Sequence, residues 1–526
     1  MAALLTISPF LAFLLFLLAI LSSDSYNFTA HTQFSIREAT IDDLQLAFQH
    51  NKLTSRQLVE FYLREIRRLN PILKGVLEVN PDALFHADKA DQERKAKGAA
   101  TALFSRSKLH GIPILVKDNI ATKDKMNTTA GSFALLGSVV RRDAGVVRKL
   151  RKAGAIILGK ATLSEWSYFR SDQAPAGWSA RGGQGVNPYN LSVTPCSSSS
   201  GSAISVAANM VAVTLGTETD GSILCPSSWN SVVGIKPTVS LTSRAGVVPI
   251  SPRQDTVGPI CRTVADAVHV LDVIVGIDNN DNATIETSKY IPKAGYAQFL
   301  KRDGLKGKRI GIVRNPFFDF GNNTFLNQTF KQHFKTLRQE GAILVDHLEI
   351  TNIEEILGNS SGEHTALFAE FKIFLNSYLK ELVASPVRSL AEVIAFNNKN
   401  SKLEKVKEYG QGTFLKAEST KGIGDVEKAA LLNLEKLAKN GFEKVMRKNK
   451  LDALVAAGGL ATPYPLLPQV LATGGFPGII VPAGYIDSVP FGVCFGGLRG
   501  SEPKLIEISY AFEQATKIRK SPSFKD

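Results

Sequence analysis

The chain has 526 residues, 44% of them hydrophobic and 21% charged, a composition that can bury a large core and excludes a disordered or low-complexity protein. The formal net charge is +14, but the basic residues are scattered rather than striped or interleaved with aromatics, so they read as a solvated surface and leave nucleic-acid binding without a motif. Four cysteines without CxxC spacing do not make a disulfide scaffold, and eight histidines without HExxH or clustered spacing offer no metal site.

Residues 2–21 are almost wholly apolar and uncharged, and the run breaks at Ser22, Ser23, Asp24 and Ser25. Residues 1–25 therefore read as a secretory signal peptide, which predicts delivery into the secretory pathway and an extracellular, apoplastic or vacuolar destination. The run is nearly long enough to span a bilayer, so membrane attachment is expected only if it stays uncleaved. In that pathway the sequons at Asn27, Asn127, Asn190, Asn282, Asn322, Asn327 and Asn359 become possible glycan acceptors.

Beyond the leader, Thr40 with Asp43 and Thr54 with Gln57 are capping-box patterns that open two helices. The second carries Leu58, Tyr62, Leu63, Ile66 and Leu69 at helical spacing, against Arg64, Arg67 and Arg68 on another face. Short apolar runs typical of buried strands follow at 111–117, 155–158, 211–215, 309–313, 342–345, 454–455, 476–481 and 491–495. Strands alternating with helices over most of the chain predict an α/β fold: a single large domain over 38–520, with a mixed, mostly parallel central sheet covered by helices on both faces. Residues 352–450 are helical and charged in pattern and predict a peripheral layer of helices.

The chemistry concentrates in residues 194–238, where two serine- and glycine-rich turns bracket an apolar helix and strand. A serine nucleophile needs a base within hydrogen-bond reach. No histidine occurs between His110 and His269, so the local candidates are other serines and Lys117, which ends the apolar run GIPILVK. A GxSxG pattern at 358–362, with His364 beyond, follows a charged helical segment rather than a strand and reads as a decoy. Cys196 and Cys225 flank the two turns; buried free thiols are the favoured reading and a bridge the alternative.

Nearly the whole mature chain resembles the amidase signature family. Gly111, Pro113, Val116, Lys117 and Asp118 match its GxPxxVKD motif, 196–202 its serine turn, and 216–222 its nucleophile turn. VVGIKPT, QDTVGPICRTVADA and FPGIIVPAGY are similar to its flanking motifs. The resemblance implies Ser222 as nucleophile, a bridging serine 24 residues earlier, which is Ser198, and Lys117 as base. It also implies a cis peptide before Ser198, an oxyanion site on the turn of Thr219, Asp220 and Gly221, and a reaction without metal or organic cofactor. Asn127 is expected to stay unglycosylated, because the family packs that segment near its site.

A lysine acts as a base only when neutral, so its pKa must fall from about 10.4 toward 7–8, a differential of roughly 4 kcal/mol. Burial at the end of an apolar strand has the right sign, and strand alternation turns the neighbouring Asp118 to the opposite face. Asp220 is expected not to pair with Lys117, since an ion pair would hold it protonated. Ser197 and Asp220 stand where most relatives carry glycine, and Leu224 where arginine is frequent. GTETDGSILCP, with SEWSYFRS and GWSARGGQ, is most similar to peptide amidases and their plant relatives. The substrate class implied is therefore a peptide C-terminal amide or a small-molecule amide, with Glu165, Trp166, Arg170, Trp178 and Arg181 lining or bracing the pocket. An esterase or acyltransferase on the same scaffold, or a non-catalytic member, is the alternative; an ammonia-feeding amidotransferase subunit is disfavoured by the leader.

Overall fold

The computed structural model describes residues 34–96, 107–459 and 466–524; the expected signal segment and Asn27 lie outside the described residues. Both capping boxes form. The Thr54 hydroxyl accepts from Gln57 N at 3.1 Å while Gln57 Oε1 accepts from Thr54 N at 2.9 Å, and Thr40 and Asp43 exchange the same pair of bonds. Each box satisfies two backbone donors that a helix start leaves orphaned. Helix Ser55–Leu73 then buries Leu58, Val59, Tyr62, Ile66 and Leu69, with Arg64, Arg67 and Arg68 exposed, as the spacing requires.

In the first half of the chain the strands are β1 (Val76–Val79), β2 (Pro113–Lys117), β3 (Ile156–Ala161), β4 (Trp178–Ser179), β5 (Gly183–Gln184), β6 (Val213–Glu218), β7 (Val233–Lys236) and β8 (Thr256–Cys261). The second half adds β9 (Arg309–Ile312), β10 (Ile343–Val345), β11 (Ala453–Gly458), β12 (Gly478–Ile486) and β13 (Val489–Gly496). Eleven of them form one sheet in the order β1-β3-β2-β6-β8-β7-β12-β13-β11-β9-β10, with β4 and β5 paired apart. The expected α/β class and single mixed sheet flanked by helices are present. Parallel pairing occupies two blocks, β3-β2-β6 and β11-β9-β10. The middle of the sheet, from β6 to β11, and the β1 edge are antiparallel. Each apolar run in the sequence became a strand; the run at 211–215 starts later, at Val213, and continues to Glu218.

The site is placed by β2 and β6. Both are buried at every position, as strands flanked on both sides and covered on both faces must be. They run parallel from Ile114 opposite Val213 to Val116 opposite Leu215, so Lys117 and Glu218 emerge on the same rim. In α/β sheets the carboxyl ends of parallel strands are where loops gather functional groups. Helices Glu363–Glu381, Leu390–Lys399 and Asp425–Ala438 supply the peripheral layer that the charged helical pattern predicted. Ile36–Asp526 is one compact unit.

Candidate active site

Lys117 is fully buried at the end of β2. Its Nζ lies 2.7 Å from Ser198 Oγ, 2.9 Å from Thr217 Oγ1 and 3.2 Å from the Thr217 carbonyl. Burial lowers its pKa to about 7, opposed in part by the Asp255 and Glu218 carboxylates. No ion pair joins Lys117 to any carboxylate among the described residues, Asp220 included. The neighbouring Asp118 points the other way, as strand alternation demands. Its Oδ2 accepts from Thr129 Oγ1 at 2.5 Å and from Gly131 N at 3.1 Å.

Ser198 follows a cis Ser197–Ser198 peptide, the conformation the resemblance implied. It is fully buried, and its carbonyl accepts from Ser164 N at 3.0 Å. Ser222 is 8% exposed and sits between β6 and helix Leu224–Trp229. Its carbonyl accepts from Ser199 N at 3.1 Å, which ties the two serine turns backbone to backbone. Among the described residues no hydrogen bond joins the Ser222 and Ser198 hydroxyls; of the two serines, Ser198 alone bonds Lys117 directly.

The turn between Glu218 and Ser222 is held from both ends. Thr219 Oγ1 donates to Asp255 Oδ1 at 2.6 Å, and Asp255 Oδ2 accepts from Ile250 N at 2.8 Å and Ser251 N at 2.9 Å. Burial raises Asp255 to about 6 despite these bonds. Glu218 Oε2 accepts from Ile223 N at 2.6 Å and Leu224 N at 2.9 Å, a carboxylate at the amino end of the helix that follows Ser222. Gly221 has φ +70, a left-handed conformation that favours glycine and turns the chain into Ser222. Asp220 is open to solvent, with protein close around it. That surrounding protein raises its pKa, reinforced by Glu363 and Glu218 and offset by Lys236.

The sequence reading missed Thr217, Asn119, Asp255 and Glu218. Asn119 Nδ2 donates to Thr217 Oγ1 at 2.9 Å and to Ser167 Oγ at 3.2 Å, so Thr217 joins Asn119 to Lys117. Thr217 and Glu218 lie inside the nucleophile-turn motif, and Asp255 inside QDTVGP; motif membership was their one available signal. Of the residues expected to line or brace the pocket, Glu165 and Arg170 form a buried ion-pair cluster with Glu404. Arg170 Nη1 donates to Glu165 Oε1 at 2.6 Å and Glu404 Oε2 at 3.3 Å, all three side chains being buried. Trp166 packs edge-on against Phe414, and Trp178 tilts over Tyr409 with centroids 4.5 Å apart. Arg181 donates to Thr129 Oγ1 at 2.9 Å.

The expectation of free thiols at Cys196 and Cys225 is overturned: the two form a disulfide, with Cα atoms 6.0 Å apart and 29 residues of sequence separation. Sequence spacing says nothing about that distance. It is set by the fold-back that stacks the Ser198 turn on the Ser222 turn. Cys261 and Cys494 are free and buried. The GxSxG pattern is a decoy as expected: it follows helix Ile353–Leu357 rather than a strand, its central Ser360 sits exposed in the short 3-10 turn Asn359–Ser361, and the His364 ring stacks on Phe368. A groove of about 580 Å³ lined by Leu431, Arg447, Phe476 and Arg499 contains none of the site residues.

The Amidase family profile matches residues 57–467. A probable amidase of Arabidopsis thaliana is 61% identical over 493 residues, covering 93% of this chain and 92% of the relative. The crystal structure of native peptide amidase from Stenotrophomonas maltophilia superposes with a TM-score of 0.85 at 42% identity, over 93% of this chain and 99% of that one. A structure of the peptide amidase PAM with the competitive inhibitor chymostatin superposes with a TM-score of 0.86 at 42% identity, over 93% and 100%.

Proposed function

The chain belongs to the amidase family of amide-bond hydrolases, and from that premise we propose that it cleaves peptide C-terminal carboxamides through a Ser222–Ser198–Lys117 relay and an acyl-enzyme. The observation that carries this reading is the 2.7 Å contact between Ser198 Oγ and a buried Lys117 whose pKa is lowered to about 7. A neutral amine has two N–H groups and one lone pair. Its hydrogens can serve Thr217 Oγ1 and the Thr217 carbonyl, leaving the lone pair for the Ser198 proton.

In the reaction Lys117 takes the Ser198 proton as Ser198 takes that of Ser222, and Ser222 Oγ bonds to the carbonyl carbon. The oxyanion forms against backbone N–H groups of the turn Thr219-Asp220-Gly221-Ser222, donors typically worth about 3 kcal/mol each. The proton returns through Ser198 to the leaving nitrogen as the C–N bond breaks, releasing ammonia from a primary amide. Water then enters by the same relay and frees the acid. Likeness to peptide amidases at 42% identity over nearly the full chain supports the substrate class.

The test is ammonia release from peptide amides, fatty acid amides, indole acetamide and aryl amides, with matched esters and amine acceptors alongside. Peptide amides are expected to be the best substrates, and Ser222→Ala and Lys117→Ala to be inactive but folded. Full activity in either variant overturns the relay, and faster ester cleavage or amine transfer overturns the substrate class. Secretory delivery is proposed on the apolar leader, the sequons and the disulfide, a bond that persists in oxidising compartments. Among the described residues no helix is long and apolar enough to cross a membrane. Amino-terminal sequencing and glycopeptide mapping of the mature protein test this. Bare sequons throughout overturn delivery, and an intact residue 1–25 segment overturns cleavage and makes that segment a membrane anchor.

A further inference from the structure

We propose that the Cys196–Cys225 disulfide is a positioning element of the active site, setting turnover at Ser222 and not only the stability of the fold. The inference rests on the Ser222–Ser198–Lys117 reading. The bridge closes the one segment that holds both serines: Cys196 lies two residues before Ser198, and Cys225 three residues after Ser222. Within that loop the two turns touch through Ser199 N and the Ser222 carbonyl at 3.1 Å, and just outside it Asn230 Nδ2 donates to the Pro195 carbonyl at 2.9 Å. The disulfide is the covalent member of this set of ties, and it lies between the two hydrogen bonds along the seam.

Its anchor points are themselves constrained. Cys196 has φ +59, a left-handed conformation that a non-glycine residue keeps only when its surroundings impose it. Three bonds impose it here: the disulfide, Cys196 N to Thr194 Oγ1 at 3.1 Å, and Ser200 Oγ to the Cys196 carbonyl at 2.6 Å. On the other side, Cys225 N donates to the Gly221 carbonyl at 2.8 Å, so the residue that carries the sulfur link is hydrogen-bonded directly to the turn that presents Ser222. Loss of the bridge frees the Ser198 turn to drift relative to Ser222 while Lys117, held by Thr217 on β6, stays in place. A displacement near 1 Å between reacting groups lowers rate by as much as about a hundredfold. Both cysteines are at most 2% exposed, so the bond is shielded and permanent in the folded protein.

The test is the double variant Cys196→Ala/Cys225→Ala, assayed as the full mature chain on a peptide amide, with Cys261→Ala as a cysteine-removal control. The expected result is a fall in kcat of at least tenfold, a KM within twofold of wild type, and a parallel slowing of Ser222 labelling by a fluorophosphonate. The second measurement is wild-type protein unfolded and refolded with a dithiol, which supplies two electrons and two protons to cleave the S–S bond and closes to a cyclic disulfide itself. Reoxidation is expected to restore kcat. An unchanged kcat in a folded, bridge-free protein overturns the proposal, and so does failure of both preparations to fold, which makes the bridge a stability staple. If Ser222→Ala is inactive while the double variant is fully active, the relay stands and this inference falls; if Ser222→Ala is active, the relay itself has failed.

Discussion

Lys117 and Lys160 stand on adjacent parallel strands, β2 and β3, and both are fully buried, yet they are bonded to different partners. Burial lowers both, Lys117 to about 7 and Lys160 to about 8. Lys160 faces four carboxylates, Asp118 foremost, and its Nζ donates to the Ile120 carbonyl at 2.6 Å and Thr128 Oγ1 at 2.9 Å. Lys117 feels two, Asp255 and Glu218, and its first partner is the hydroxyl of Ser198. A buried lysine becomes a base through what it is bonded to; desolvation alone is shared by both.

The largest expected effect breaks this pair apart. Lys117→Met is expected to lower kcat by about 10³-fold, the range of a lost general base, while circular dichroism shows a folded protein. Lys160→Met is expected to do the reverse. It leaves Asp118 buried without its nearest cation, with Oδ1 already unpartnered, and so costs roughly 3 kcal/mol or more of stability, read by denaturant titration. Its activity per folded molecule should stay within a few-fold of wild type. Equal loss of kcat in both variants removes the distinction.

The same pair predicts a pH dependence. Activity should rise as pH climbs through about 7, where Lys117 loses its proton. Between about 7 and the ordinary 10.5 the unfolded chain binds more protons at this residue than the folded one. Stability from Lys117 therefore rises with pH across that window, is complete above 10.5, and is lost as pH falls through 7. Lys117→Met should flatten that slope, as followed by urea midpoints at a series of pH values.

How far the sequence reaches is visible in these residues. The amphipathic helix after Thr54, the runs that became β2 and β6, and the identities of Lys117, Ser198 and Ser222 were legible because period, capping and motif spacing are local properties. Asp255 and Thr217 were not, because their roles arise from pairings across the sheet: antiparallel β6–β8 brings Asp255 to Thr219, and parallel β2–β6 brings Thr217 to Lys117 and Asn119. The disulfide failed for the same reason: two cysteines become neighbours only after the serine turns stack.

Asp255 sharpens the comparison, because it is the carboxylate nearest in effect to Lys117 and also the anchor of Thr219. Asp255→Asn removes a charge that raises the Lys117 pKa, so the rising limb of activity should move to lower pH. It also loosens the turn proposed to present the oxyanion donors, and kcat at the plateau is expected to fall about tenfold. A limb that moves upward, or a plateau rate unchanged, contradicts the placement.

The smallest effect isolates the last difference between the two lysines, the hydroxyl that Lys117 shares with Asn119. Thr217 Oγ1 accepts from Asn119 Nδ2 and lies 2.9 Å from Lys117 Nζ, while the Thr217 carbonyl remains a partner through the backbone. Thr217→Val keeps the branched shape that β6 packs and deletes that oxygen alone. Two hydrogen bonds are lost, one from Lys117 and one from Asn119, while Asn119 retains Ser167 Oγ; the bond at Lys117, about 1 kcal/mol, corresponds to roughly fivefold in kcat. KM should not change, since Thr217 is 7% exposed and its hydroxyl is engaged by Lys117 and Asn119. Losing an acceptor disfavours the ammonium, so the activity limb should again shift to lower pH, by less than in Asp255→Asn. A pH–rate profile of the two variants side by side tests whether hydroxyl and carboxylate act on the same amine.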